Sequence, residues 1–169
     1  MYGIKNAVMA KELRHDDVKN VTVYYADIRA YGKGFEEFYT MSKKRFGIKF
    51  IRGRVGEVEE VAKNKNIIVW AENTETGDFL KQEHELLVLC PGMIPPKGLK
   101  ELAGKLGIDV SADGFIPIQY PASNPVDTTV SGVYVAGCAE SAKDIPDSVA
   151  AGSAAAMRAS ITLSRGGEQ

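Results

Sequence analysis

Residues 132–157 run Gly-Val-Tyr-Val-Ala-Gly-Cys-Ala-Glu-Ser-Ala-Lys-Asp-Ile-Pro-Asp-Ser-Val-Ala-Ala-Gly-Ser-Ala-Ala-Ala-Met, and they restrict the fold more than any other stretch. Val133 to Ala136 is a short apolar run with β-branched and aromatic side chains, closed by Gly137, and it predicts a buried strand ending in a tight turn. A helix is expected to follow. Pro146 suits its first position, Asp144 or Asp147 can cap its amides, and small residues fill Ala150 to Ala156, so other backbone can come close. A strand, a glycine turn and a helix N-terminus aimed at that turn favour an electron-rich group, because unpaired amides and the helix dipole both attract negative charge.

A chain of 169 residues has room for one compact domain or two small lobes. With 44% hydrophobic and 25% charged residues and a formal net charge of −1, it carries no basic excess that would point to nucleic acid. No apolar run approaches the length of a membrane span, and Lys5, Lys11, Glu12 and Arg14 interrupt any signal-peptide core, so a cytoplasmic protein is expected. The two cysteines, Cys90 and Cys138, are too few for a disulfide framework or for a cluster held by this chain's cysteines alone. Each follows an expected buried strand, so packed thiols are expected.

From the N-terminus, Ile4–Leu13 has the spacing of an amphipathic helix, Val21–Ala26 that of a strand, Phe35–Phe46 a second helix stopped by Gly47, and Ile48–Arg52 a second strand. Helix, strand, helix, strand is half of a dinucleotide-binding unit without an opening strand. No G-x-G-x-x-G precedes Asp27, so Asp27 and Arg29 are expected to make a loop ion pair or a turn cap, and Tyr31, Phe35 and Tyr39 to be core. Val55–Val61, Asn66–Glu72 and Phe79–Glu85, separated by polar turns, predict a three-stranded antiparallel meander with Trp70 as its anchor. His84 and His15 are expected to be solvated.

Leu86–Cys90 is a continuous apolar run, expected to be a strand buried on both faces. Pro91-Gly-Met-Ile-Pro-Pro96 takes the chain out of the sheet, Lys97–Leu106 predicts a helix, and Ile108–Ile118 predicts a turn entering an edge strand.

Gly132-Val-Tyr-Val-Ala-Gly-Cys-Ala followed by Lys143-Asp-Ile-Pro-Asp-Ser-Val-Ala resembles the last flavin-binding segment of the heterodisulfide reductase A-subunit family, and Asp27-Ile-Arg-Ala-Tyr-Gly-Lys-Gly-Phe-Glu-Glu-Phe-Tyr39 is similar to that family too. The family lies within the thioredoxin-reductase-like flavoproteins, which have two dinucleotide-binding domains. The resemblance implies an α/β chain with part of that fold: a parallel sheet with helices plus the meander. Residues 1–92 would be a truncated nicotinamide-domain-like Rossmann unit holding the meander (55–85), and 93–169 the C-terminal segment of an FAD-binding domain.

Residues implied to face FAD are Pro91 and Gly92 at the crossing between domains, Gly137, Cys138, and Asp144, Ile145, Pro146, Asp147, Ser148 and Val149 at the helix N-terminus. Cys138 stands where the wider group commonly has an Asp. No catalytic residue and no metal ligand is implied in this chain. The resemblance covers nearly the whole chain but only part of the family protein. Its N-terminal flavin loop and its Cys-rich segments are not in this sequence, so a fragment, a split gene product or a subunit completed by another chain is expected, inactive by itself. The implied function is electron transfer between a flavin and iron-sulfur clusters held on other segments or on partner subunits. A homodimer is compatible with it. The alternative is a non-catalytic scaffold that docks onto redox partners; a nicotinamide-binding domain is a weaker third reading.

Overall fold

In the computed structural model, which describes residues 1–14 and 16–166, the backbone divides into two units, Met1–Cys90 and Pro91–Gln169. His15 lies outside the described residues.

The first unit opens with α1 (Tyr2–Leu13), which buries Ile4 and Val8 one turn apart. Lys11 then staples the following loop, its ammonium donating to the carbonyls of Val18 and Lys19. β1 (Thr22–Tyr25), α2 (Phe35–Lys44) and β2 (Lys49–Arg52) form a β-α-β unit, with β1 and β2 parallel and Thr22 opposite Lys49. α2 starts at Gly34 (φ 80°), with Glu36 and Glu37 in its first turn and Lys43 and Lys44 in its last, a charge order that suits the helix dipole. Under it, the Tyr39 ring meets Phe50 edge to face at 4.9 Å. Tyr31, expected in the core, is instead 86% exposed, because it sits in the loop before α2 and shares no face with Phe35 and Tyr39.

The meander forms as expected: β3 (Val55–Glu60), β4 (Ile67–Asn73) and β5 (Asp78–His84) pair antiparallel in the order β3-β4-β5. Its anchor is Val69, fully buried on β4, and not Trp70, which the pleat turns to the opposite, outer face. His84 is not a solvated strand end either. Its Nε2 lies 2.9 Å from the Tyr24 hydroxyl, which also donates to Gln82 Oε1 at 2.7 Å, so β1 is tied to β5. Gly53 joins the two sheets. Its amide donates to the Tyr25 carbonyl, and a Cβ there would lie 1.6 Å from the Glu72 carbonyl oxygen.

Leu86–Cys90 differs from expectation. It forms no strand, and Leu86 and Leu89 are each 76% exposed. A strand exists only as a ladder, and no described strand of the chain pairs with this run. Cys90 is likewise exposed rather than packed.

The second unit contains α3 (Leu99–Leu106) and α4 (Ile145–Gly166). Its core is Leu99, Ala103, Ile108, Ile116 and Val135, with Val133 and Ala139 against it. The expected strands at Ile108–Ile118 and Val133–Ala136 are absent as strands; the second is reduced to one antiparallel bridge, Asp127 to Tyr134. The apolar character that predicted them is satisfied by burial in this core without a ladder. Arg158 on α4 holds the loop beside that bridge through a two-pronged ion pair with Asp127, the shortest contact 2.6 Å.

Candidate functional site

Every residue implied to face a cofactor falls in the second unit, and the structure gathers most of them where the chain enters α4. Ala136 is extended, Gly137 turns with φ 65°, and Gly137–Ala139 form one 3-10 turn. The positive φ is what requires glycine here; space does not, since an added Cβ would meet Ser148 only at an ordinary 3.9 Å. The turn is pinned by the amide of Ile116 donating to the Ala139 carbonyl and by that of Glu140 donating to Gly137.

α4 is capped by Asp144, which resolves the choice between Asp144 and Asp147. Asp144 Oδ1 accepts from the Asp147 amide at 2.8 Å, and its carbonyl accepts from the Ser148 amide at 3.0 Å and the Ser148 hydroxyl at 2.7 Å. Pro146 has no amide proton to offer. Of the opening turn's donors, the Ile145 amide alone is left without a protein acceptor among the described residues. Ile145 and Val149, one turn apart, are largely exposed.

Cys138 is exposed beside this helix start, and not a packed thiol; its sulfur lies 3.8 Å from the Lys143 carbonyl and 3.9 Å from the Met93 sulfur. Met93 is a contact that sequence reasoning missed, although it directly follows Gly92. Pro91 and Gly92 themselves are exposed, with nothing within 4 Å of a Cβ added at Gly92. The Lys143 ammonium pairs with Glu140 at 2.6 Å, both side chains mostly buried, so the positive charge nearest the turn is already compensated. What results is a shallow surface: one backbone donor, a thiol, and the apolar side chains of Met93, Ile145 and Val149. A polar cleft of about 220 Å³ in the same unit lies further along α4, lined by Asp127, Thr128, Arg158 and Thr162. Asp27, in the first unit, pairs with Arg52 at 3.4 Å and not with Arg29. Among the described residues no group of three or more His, Cys, Asp or Glu is placed to hold a metal, and no helix is long and apolar enough to cross a membrane.

No protein-family model matches the chain. Solved structures similar to it include the thioredoxin reductase of T. acidophilum, at TM-score 0.66 and 24% identity over 93% of this chain and 49% of that one. The Lactococcus lactis thioredoxin reductase gives TM-score 0.69 at 21% identity over 96% and 50%. At these identities the likeness shows the fold, that of the thioredoxin-reductase-like flavoproteins. Among curated proteins, the A-subunit of the H(2):CoB-CoM heterodisulfide,ferredoxin reductase of Methanothermobacter thermautotrophicus is 46% identical over 98% of this chain and 25% of its own length. The second iron-sulfur A-subunit of the CoB--CoM heterodisulfide reductase of Methanopyrus kandleri is 44% identical over the same shares, and the corresponding iron-sulfur A-subunit of Methanocaldococcus jannaschii 42%. The chain thus spans about a quarter of the length of these relatives. Over that quarter, and over nearly all of its own length, it belongs to the heterodisulfide reductase A-subunit family.

Proposed function

We propose that this chain is part of an FAD-dependent oxidoreductase that passes electrons between a flavin and iron-sulfur clusters. On this reading residues 1–92 are the nicotinamide-domain-like part and 93–169 the end of the FAD-binding domain. The observation that carries it is the 42–46% identity to heterodisulfide reductase A-subunits over a match that covers 98% of the chain. Two of those relatives are named iron-sulfur subunits and the third a subunit of a heterodisulfide,ferredoxin reductase, which supports iron-sulfur partners and a multi-subunit assembly.

The residues at the start of α4 fit the ring end of a flavin. Gly137 sets the turn through its positive φ, Ile145 supplies a backbone donor, and Met93, Ile145 and Val149 supply apolar surface for a flat ring. Bound there, FAD supplies two-electron uptake with one-electron release. Asp144 accepts from the Asp147 amide and so holds the first turn rigid, while Cys138 puts a thiol where the wider group commonly has an Asp. An absorbance scan of the purified chain tests the assignment: flavin bands in the visible region support it. A colourless chain that still captures iron-sulfur partners supports the scaffold reading, which the engaged amides of Asp147 and Ser148 favour for the chain alone. In the full-length protein, Cys138→Asp is expected to lower the flavin potential by adding a negative charge, and Cys138→Ala to change it less, read by spectroelectrochemistry. An unchanged potential in both removes Cys138 from the site.

A further inference from the structure

The outer face of the meander has no role in the reading above. Register places Glu57, Glu59, Ile68, Trp70, Glu72, Phe79, Lys81 and Glu83 on it, opposite the face that buries Val69 and Ala71. Phe79 is 86% exposed and Trp70 37%, and they stand diagonally across β4 and β5 with Glu72 and Lys81 as their cross-strand partners. Four carboxylates face one ammonium. That ammonium, Lys81 Nζ, lies 4.3 Å from the Trp70 ring centroid, so the indole face already holds a cation from its own chain. Glu57, Glu59 and Glu72 make no ion pair among the described residues. Asn66 and Asn64 hydrogen-bond Glu83 and hold its carboxyl below the usual carboxylate range, so its charge persists.

We propose that this face docks a protein segment that alternates guanidinium and apolar side chains, an arginine taking the place of Lys81 on Trp70 and apolar groups covering Phe79 and Ile68. The charges choose this occupant. A neutral apolar partner would bury four carboxylates without compensation, which is costly, whereas arginine both stacks on aromatic rings and forks onto carboxylates. Size sets the strength. Three strands about 4.8 Å apart, the longest seven residues at about 3.4 Å each, give a face of roughly 340 Å², well under the ~800 Å² per partner of a stable interface. The association is therefore transient and salt-sensitive.

Trp70 is the chain's single tryptophan and reports directly on the face. Titrating the full chain with a short synthetic peptide alternating Arg and Leu is expected to change Trp70 fluorescence saturably. Affinity should fall roughly tenfold between about 50 and 300 mM salt. The variants Phe79→Ala and Glu57→Gln with Glu72→Gln should weaken binding several-fold with unchanged circular dichroism. Glu36→Gln with Glu37→Gln on α2, a control pair away from the face, should leave it as it was. Equal binding of the matched Glu/Leu peptide, equal losses in the two glutamate pairs, or no saturable change would each overturn the proposal.

Discussion

At the scale of single residues, two glycines separate space from backbone strain. A side chain at Gly53 would strike the Glu72 carbonyl, a backbone atom that cannot move aside, whereas Gly34 has φ 80° and open space around it. Gly53→Ala is therefore expected to lower stability by ~3 kcal/mol and Gly34→Ala by ~1 kcal/mol, compared by urea unfolding. Asp144→Ala removes the cap of α4 and should cost ~1 kcal/mol, with faster hydrogen exchange at the Asp147 amide. Tyr25 gives a pH signature. Burial first, then the hydrogen bond and charge of Tyr39, push its phenol up to about 12 from 10.0, and burial pushes Tyr24 up as well. The fold thus favours the neutral phenol: its contribution is whole below the unfolded value and is lost as pH rises through the folded one. The unfolding midpoint should drop more steeply between about pH 10 and 12 in the native chain than in Tyr25→Phe.

Among the elements, local pattern was a sound guide wherever the pairing partner is near in sequence. The meander was legible because three strand-like runs are set apart by short polar turns, so each pairs with its sequence neighbour. α2 was legible from Gly34, the apolar spacing and Gly47. The roles of Trp70 and His84 were not, because which face of β4 and β5 turns inward depends on where β1 lies. Tyr24 decides it by reaching Gln82 and His84. Tyr24→Phe leaves both half-buried groups unpaired there and should cost about 2 kcal/mol, measured by urea unfolding and by loss of exchange protection along β5. At the candidate site, the turn at Gly137 and the helix after it were readable from composition. The choice of Asp144 as cap, the contact of Met93 with Cys138 and the exposure of that thiol were not, since each depends on how the turn is tilted against its helix.

For the molecule as a whole, Leu86–Cys90 carries the largest conflict between composition and environment. Exposed leucines at about 25 cal/mol per Å² favour any contact that removes them from water. Leu86→Lys with Leu89→Lys should therefore reduce hydrophobic-dye binding and concentration-dependent association, seen by light scattering, while leaving the unfolding midpoint nearly unchanged. By itself the sequence determined the elements whose hydrophobic period closes over a few residues, the meander, and the glycine turn into a small-residue helix. The similarity to heterodisulfide reductase relatives covers 98% of the chain, those elements included. Only the tertiary structure decided which apolar runs become strands, that His84 is engaged by Tyr24, that Cys138 meets Met93, and which donors remain at the head of α4. The reason is that a ladder, a buried face or an open amide is set by a partner far away in the chain, and local pattern records the need for that partner without naming it.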